Sequence, residues 1–340
     1  MSAQHARLRV FSGVQPTGKL HLGNYVGALD VWVGGQDQHD NVFCIVDLHA
    51  LTIPEAVRPD DLRSKVREVA GLYVACGIDP AASAIFVQSR VSAHAELAWI
   101  LNCVTPLGWL ERMTQYKAKS AGTERVGTGL LDYPVLQAAD ILLYDTNRVP
   151  VGEDQRQHME LARDIARRFN HLFGETFVIP DAMIRPSGAR LMGLDDPTIK
   201  MSKSIGAQRA GHAIGLLDPP DVIQRTIMGA VTDPHRETRF DHAGLGVLNL
   251  LVIYEALSGE ARPAIEARFE GQGYGYLKRT LAEVVVERLT PIQRRYAEIV
   301  SNLGEIEHIM EEGAERVRPR AEATMDRVRR LTGLAERRSA

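Results

Sequence analysis

LRVFSGVQPTGKLHLGN, residues 8–24, is the stretch on which the fold turns. Leu8–Val14 alternates apolar and polar residues as a strand does, and Gly13, Pro16 and Gly18 then break the pattern. His21-Leu22-Gly23-Asn24 opens a helix whose apolar positions are Val26, Leu29 and Val33. A strand, a glycine-marked loop and a helix, in that order, begin an α/β layer structure.

The alternation continues outward. Val42–Val46 and Ala84–Val87 are short apolar runs that read as buried parallel strands. Asp60–Cys76 places Leu62, Val66, Val69, Leu72 and Tyr73 on one helix face, with Gly77 as its C-cap. Ser92–Val104 begins on a serine N-cap, and Asp132–Tyr144 and Asp154–Asn170 read as two more helices. Strands alternating with helices predict a doubly wound α/β domain that binds ligands at the carboxyl ends of its strands. After Asp181 the texture changes: Ile184–Ile214 is rich in Gly, Ser, Arg and Lys and reads as loop. From Pro219 onward the patterns are helical only, among them Leu245–Leu257 and Tyr276–Val300. Gly313–Ala340 holds eight arginines against four acids, either a solvated helix or a nucleic-acid contact.

Composition narrows the class. The 340 residues are 45% hydrophobic and 24% charged, as in ordinary globular proteins, and the length suits two domains. Net charge is −3, so any attraction to nucleic acid must come from local basic patches. Cys44, Cys76 and Cys103 form no CxxC pair, which points to a reducing cytoplasm and to buried, unreactive thiols. No apolar run approaches the ~18–20 residues of a membrane span, and Met1–Arg9 has no signal-peptide core.

Two elements carry chemistry, and one is a decoy. Gly13–Lys19 fits GxxxxGK after a strand. However, Leu20 stands where a P-loop needs Ser or Thr, and Pro16 removes an N–H from the cradle. HLGN places a helix N-terminus, with its free N–H groups, beside His21 and Asn24 as donors to phosphate oxygens. Lys200-Met201-Ser202-Lys203-Ser204 sets two lysines in a serine-flanked loop, a cationic clamp for a polyphosphate. Lys117 and Lys119 are further cations, or plain surface lysines.

These two elements resemble the signature motifs of class I aminoacyl-tRNA synthetases, and more closely the bacterial tryptophan branch of that family. The similar segments, in the family's order, are Phe11–Thr17, His21–Asn24, Asp47–Thr52, Glu111–Ser120, Leu136–Tyr144, Val149–His158 and Lys200–Ser204. The resemblance implies a Rossmann-type catalytic domain over residues 1–185 and a joining KMSKS segment over 186–215. It also implies an α-helical anticodon-binding domain over 216–335, whose last helix can pack back on the first domain. It further implies a cytoplasmic homodimer that binds L-tryptophan, ATP with Mg2+ and tRNA(Trp), with no resident metal, no membrane and no DNA.

Residue by residue, the family's ATP site maps onto Gln15, Pro16, Thr17, Gly23, Asn24, Gly152, Glu153, Asp154, Leu191, Lys200, Met201, Ser202, Lys203 and Ser204. Gln15, His21, Asn24, Lys200 and Lys203 are the expected catalytic residues. The indole N–H is expected on Asp140, in a tryptophan pocket with Phe11, His49, Tyr133, Gln137 and Gln155. Two positions depart from the family: Gln137 replaces a methionine, and Ile205 replaces the aspartate frequent after KMSKS.

The chemistry agrees with the resemblance. Activation joins a carboxylate, already anionic, to the α-phosphate of ATP, so it needs positioning and charge neutralisation rather than a general base. The chain accordingly has no GxSxG or HExxH. An indole N–H only donates, so its pocket needs one fixed acceptor in an apolar box. Asp140, within AADILL, is either that acceptor or a structural ion-pair member; His49, His94, His158 and His171 have structural readings too. The rivals are a tyrosyl-tRNA synthetase, which would carry a tyrosine at Phe11, and a non-catalytic nucleotide-binding paralogue.

Overall fold

In the computed structural model, which describes residues 7–120, 126–184, 190–235 and 237–335, five short strands form one parallel sheet. They are β1 (Arg9–Val14), β2 (Asp40–Ile45), β3 (Ala84–Val87), β4 (Arg148–Val151) and β5 (Asp181–Ile184), in the order β3-β2-β1-β4-β5. The chain steps outward from β1 to β3 and then returns to the other side of β1, so the winding reverses between β1 and β4. Beside β2, β1 is paired at every position from Arg9 to Val14; beside β4 it is paired only at Val10↔Arg148. The two central strands therefore part towards their carboxyl ends, which opens the crevice where such sheets bind ligands.

The period of two along β2 builds both cores. Phe43 and Ile45 face one side, with Trp32, Tyr73 and the helical C-terminal part; Val42 and Cys44 face the other, with Phe86 and the helices at Ala93–Val104, Thr128–Leu142 and Arg156–Phe173. Trp32 packs on Phe43 at 5.0 Å between ring centroids. Each such fully buried side chain contributes about 1.5–3 kcal/mol. The chain is a Rossmann-type α/β fold followed by helices at Pro220–Met228, Leu245–Ser258, Arg262–Phe269, Tyr274–Val300 and Leu303–Thr332. Among the described residues no helix is long and apolar enough to cross a membrane.

Several expectations need correction. The helix opened by HLGN is not uniform: Leu22–Asn24 passes into a π-turn at Tyr25–Leu29, closed by Asp30 N–H on the Tyr25 carbonyl, and resumes at Asp30–Gly35. The Ile184–Ile214 stretch is not all loop, because Ser202 Oγ accepts from Ile205 N–H and starts a helix at Lys203–Gln208. The helix read at Asp132 starts at Thr128 and absorbs Pro134, and the one read at Asp154 begins with a 3-10 turn at Glu153–Gln155. Ser92 stands at its cap position but makes no side-chain cap hydrogen bond. Cys44 is buried as expected, whereas Cys76 is half-buried and Cys103 exposed. The boundary at 185–186, the side chain of Lys119 and the last five residues lie outside what the structure describes.

The arginine-rich C-terminal helix has a third use that neither reading foresaw. It runs along the edge strand β3, so closely that a Cβ on Gly313 would stand 1.9 Å from the Ile85 carbonyl oxygen. Arg316 donates to the carbonyls of Pro80, Ala81 and Ala82 at 2.9–3.1 Å, and Arg320 pairs with Asp40. Arg329 is buried and held by Glu96 and Asp326. The helix covers a sheet edge that would otherwise invite pairing with another chain, and these guanidiniums tie it to the loop before β3, to β2 and to the Ala93–Val104 helix.

Candidate active site

The loop after β1 is built around glycine. Gly18 has φ +64, and a Cβ there would meet Lys203 Cβ at 2.9 Å, so the KMSKS segment rests directly on this turn. Residues 20–22 pair with 214–216: Leu216 N–H donates to Leu20 O and Leu22 N–H to Ile214 O, with His21 facing Gly215. Asn24 Oδ1 accepts from the His21 N–H at 3.0 Å. The His21 ring folds against Gly23, where a Cβ would sit 3.1 Å from it, so this glycine first makes room for the histidine. Burial, with Lys203, Lys200 and His212 adding to it, pulls the His21 imidazole down to about 3. His21 is thus a neutral hydrogen-bonding group and not a cation. Lys19 of the P-loop decoy pairs with Asp218 at 3.4 Å on the surface.

The two KMSKS lysines point to opposite banks of the crevice. Lys200 Nζ reaches Asp154 Oδ1 at 3.2 Å, in the turn that follows β4. Lys203 Nζ donates to the Gln15 carbonyl at 3.1 Å, one residue past β1. Burial pushes the Lys203 ammonium down to about 8, with Glu68 opposing and Lys65 reinforcing. Between them Met201 is buried, and its N–H donates to the Leu191 carbonyl. Met201 and Leu191 therefore give their side chains to the core and offer a ligand only backbone. A cavity of about 790 Å3 lies against this segment, lined among others by Gly18, His21, Ser202 and Lys203. A second, of about 660 Å3, lies at the β4–β5 edge beside Arg148, Arg156 and Arg163 and includes no residue of HLGN or KMSKS.

Asp140 sits at the other end of the crevice. The Thr128–Leu142 helix carries Tyr133, Gln137 and Asp140 at i, i+4 and i+7, one face of the helix. Asp140 is 1% exposed, yet each oxygen is served: Gln88 Nε2 and His94 Nδ1 donate to Oδ1 at 2.6 Å, and His49 Nε2 to Oδ2 at 2.8 Å. Burial would raise this carboxyl, but the donors His49 and His94 hold it below the ordinary carboxylate range. The ionised group fixes the His94 tautomer, whose Nε2 accepts from the Tyr144 hydroxyl at 2.7 Å. Tyr144 stacks on Phe11 at 5.9 Å.

A short hydrogen-bonded path joins the two ends. Lys203 donates to the Gln15 carbonyl, Gln15 Nε2 to the His49 carbonyl at 2.8 Å, and His49 Nε2 to Asp140. Tyr133 meets the His49 ring edge-on at 6.4 Å, and its hydroxyl lies 2.8 Å from His158 Nε2. Gln137 is half-buried on the same helix face. Gln155 instead meets Asp154, and the Glu153 carboxylate is taken by Arg156. Pro16 is buried, while Thr17, Gly152, Ser204 and Lys117 are exposed. Sequence reasoning missed Gln88 and Tyr144 and gave His94 a purely structural role. The available signal was Gln88, a polar residue directly after a fully buried strand. Among the described residues no group of three or more His, Cys, Asp or Glu could hold a metal ion.

A sheet that reverses its winding beside a loop with two lysines agrees with the architecture of a class I synthetase, and comparison shows the same family. The family described as tRNA synthetases class I (W and Y) matches residues 3–290, and the chain belongs to it. A tryptophan–tRNA ligase of Wolinella succinogenes is 52% identical over 327 residues, which are 96% of this chain and 98% of that one. Tryptophanyl-tRNA synthetase of Mycoplasma pneumoniae has TM-score 0.89 at 34% identity, covering 97% of this chain and 98% of its own. The Campylobacter jejuni enzyme, complexed with ADP and tryptophan, has TM-score 0.83 at 34% identity, covering 96% of this chain and all of its own. Within the class, the chain is a member of the tryptophan–tRNA ligase group.

Proposed function

We propose that the chain activates L-tryptophan with ATP and passes the aminoacyl group to tRNA(Trp). The observation that carries this reading is the path Lys203–Gln15–His49–Asp140, which puts a phosphate-neutralising cation and a fixed indole acceptor in one crevice. Among the described residues Asp140 Oδ2 has one donor, His49, which leaves it capacity for the indole N–H. Phe11, His49, Tyr133 and Gln137 border the ring, and Gln155 lies towards the nucleotide side.

The tryptophan carboxylate attacks the α-phosphorus of ATP, the bond from that phosphorus to the β-bridging oxygen breaks, and pyrophosphate leaves with the electron pair. Lys200 and Lys203 meet the charge that builds on the leaving phosphates, from the β4 side and the β1 side respectively. Asn24 and neutral His21 supply hydrogen bonds at the helix start. Gly23, Gly152 and the backbone of residues 15–17, 191 and 201–204 form the nucleotide's cradle, with Glu153 and Asp154 at its rim. Magnesium fits here as an ion carried by the phosphates and offsetting their charge, since the two carboxylates at the rim are already paired, Asp154 with Lys200 and Glu153 with Arg156.

The free-enzyme charge on Lys203 gives a pH signature. A lysine with a depressed pKa loses its charge as pH rises, so kcat/KM for ATP falls above pH 8 by up to about tenfold per unit. Initial-rate pyrophosphate exchange from pH 7 to 10 measures this; a flat profile to pH 10 contradicts it.

The helices after residue 219 are assigned to the tRNA by resemblance. Arg316, Arg320 and Arg329 are held within the chain, so phosphate contacts must come from other cations. KM for tRNA(Trp) in charging then rises steeply between 50 and 200 mM salt, as counterion release requires; a KM independent of salt contradicts tRNA binding through phosphates. The family's homodimer would cover Trp99 and Leu107, 71% and 58% exposed on adjoining helices, and the resemblance implies the cytoplasm as the working compartment.

A further inference from the structure

The Asp195–His212 pair lies outside every residue given a role above. His212 is fully buried, and both ring nitrogens face acceptors: Nδ1 is 2.6 Å from Asp195 Oδ1, and Nε2 is 3.3 Å from the Lys200 carbonyl. The ring therefore bridges the Asp195 carboxylate and the main chain of Lys200. Asp195 is held in turn by Arg209, 2.8 Å from its other oxygen, immediately after the Lys203–Gln208 helix. The seat is tight, since a Cβ at Gly193 would stand 2.4 Å from the His212 ring.

The backbone around His212 leads to the other motif. Its own carbonyl accepts from Leu194 N–H; two residues on, Ile214 accepts from Leu22 N–H, and Leu216 donates to Leu20. Residues 212–216 therefore touch KMSKS through one buried side chain and HLGN through main-chain hydrogen bonds. Nothing else in this segment reaches the Lys200 backbone with a side chain among the described hydrogen bonds.

We propose that His212, aligned by Asp195, is a positioning residue that sets the spacing between the two phosphate-binding motifs. It acts through the main chain of Lys200 and touches no nucleotide atom. The inference rests on the reading of those motifs as the ATP site. A misplacement of about 1 Å at such a site costs on the order of 10²-fold in rate. Removing the ring therefore lowers turnover, while the Asp140 pocket, built on other elements, keeps its affinity.

The test is tryptophan-dependent pyrophosphate exchange on the full-length wild type and on His212→Ala, Asp195→Ala and Asp195→Asn, alone and with Lys203→Ala. Expected for His212→Ala is a fall in kcat of about 10- to 100-fold with KM for tryptophan within about twofold. Asp195→Ala follows it in part, and Asp195→Asn recovers part of the loss, because the amide oxygen still accepts from Nδ1–H while the amide nitrogen gives up the Arg209 pairing. Combined with Lys203→Ala, the His212 effect shrinks to within about threefold, since both act on one device. The proposal is overturned if His212→Ala keeps kcat within about twofold of wild type, or if tryptophan KM and kcat are lost together and the loss persists beside Lys203→Ala. If His212→Ala fails to fold, wild-type kcat in Asp195→Ala overturns it equally. A wild type without any exchange strikes the ATP-site reading itself, a result separable from every variant ratio.

Discussion

Asp140→Asn lowers kcat/KM for tryptophan by about 10³-fold while ATP binding is unchanged. The physical reason lies in the three donors already aimed at the carboxylate, from Gln88, His94 and His49. An ionised oxygen accepts from all of them and from an indole N–H; an amide turns one oxygen into a donor, which then faces donors. Breaking one partner of a buried charged set costs about 3–5 kcal/mol, and each 1.4 kcal/mol is tenfold. Steady-state exchange gives kcat/KM, and calorimetric ATP binding together with a thermal melt separates a pocket effect from unfolding. A loss below tenfold would mean that Asp140 is only a structural member of the histidine cluster.

The second large effect belongs to Lys203. Lys203→Ala lowers kcat about 10²–10³-fold, the usual loss on removing one preorganised stabiliser of developing charge. KM for tryptophan stays near wild type, because the lysine meets the Gln15 carbonyl and not the indole pocket. Lys200→Ala has the smaller effect, since Lys200 is half exposed and shares its charge with Asp154. Lys19→Ala leaves exchange intact, because that lysine lies on the surface beside Asp218. Rapid-quench measurement of adenylate formation is the direct reading. Equal losses for Lys19 and Lys203 would revive the P-loop interpretation.

Much of this was legible in the sequence, for particular reasons. β1 shows as an alternating stretch ended by glycine and proline, and β2 and β3 as short apolar runs, the composition that burial on both faces of a parallel sheet demands. β4 and β5, RVPV and DAMI, are four residues each, one with a proline and the other starting on an aspartate, so no local pattern announces them. Their positions are set by pairing, a tertiary fact. HLGN and KMSKS are visible because their chemistry is local. The Asp140 cluster draws on four elements separated by up to 91 residues, which sequence spacing alone cannot assemble. The resemblance named Asp140, the place of His49 after a strand suggested that residue, and only the packed fold joins Gln88, His94 and Tyr144 to them. The arginines after Gly313 show the converse: a charge run reads as solvated until the edge strand it covers is known.

Amino-acid-dependent exchange of labelled pyrophosphate into ATP, run on the 340-residue chain with magnesium and each of the twenty amino acids in turn, tests tryptophan activation most directly. Exchange is expected with tryptophan alone, because the indole is the one uncharged aromatic side chain that donates to Asp140 and carries no acceptor of its own. Exchange with tyrosine would keep the fold and the lysine clamp but overturn the pocket. No exchange with any amino acid, from a folded protein that still binds ATP, would contradict the activation chemistry outright.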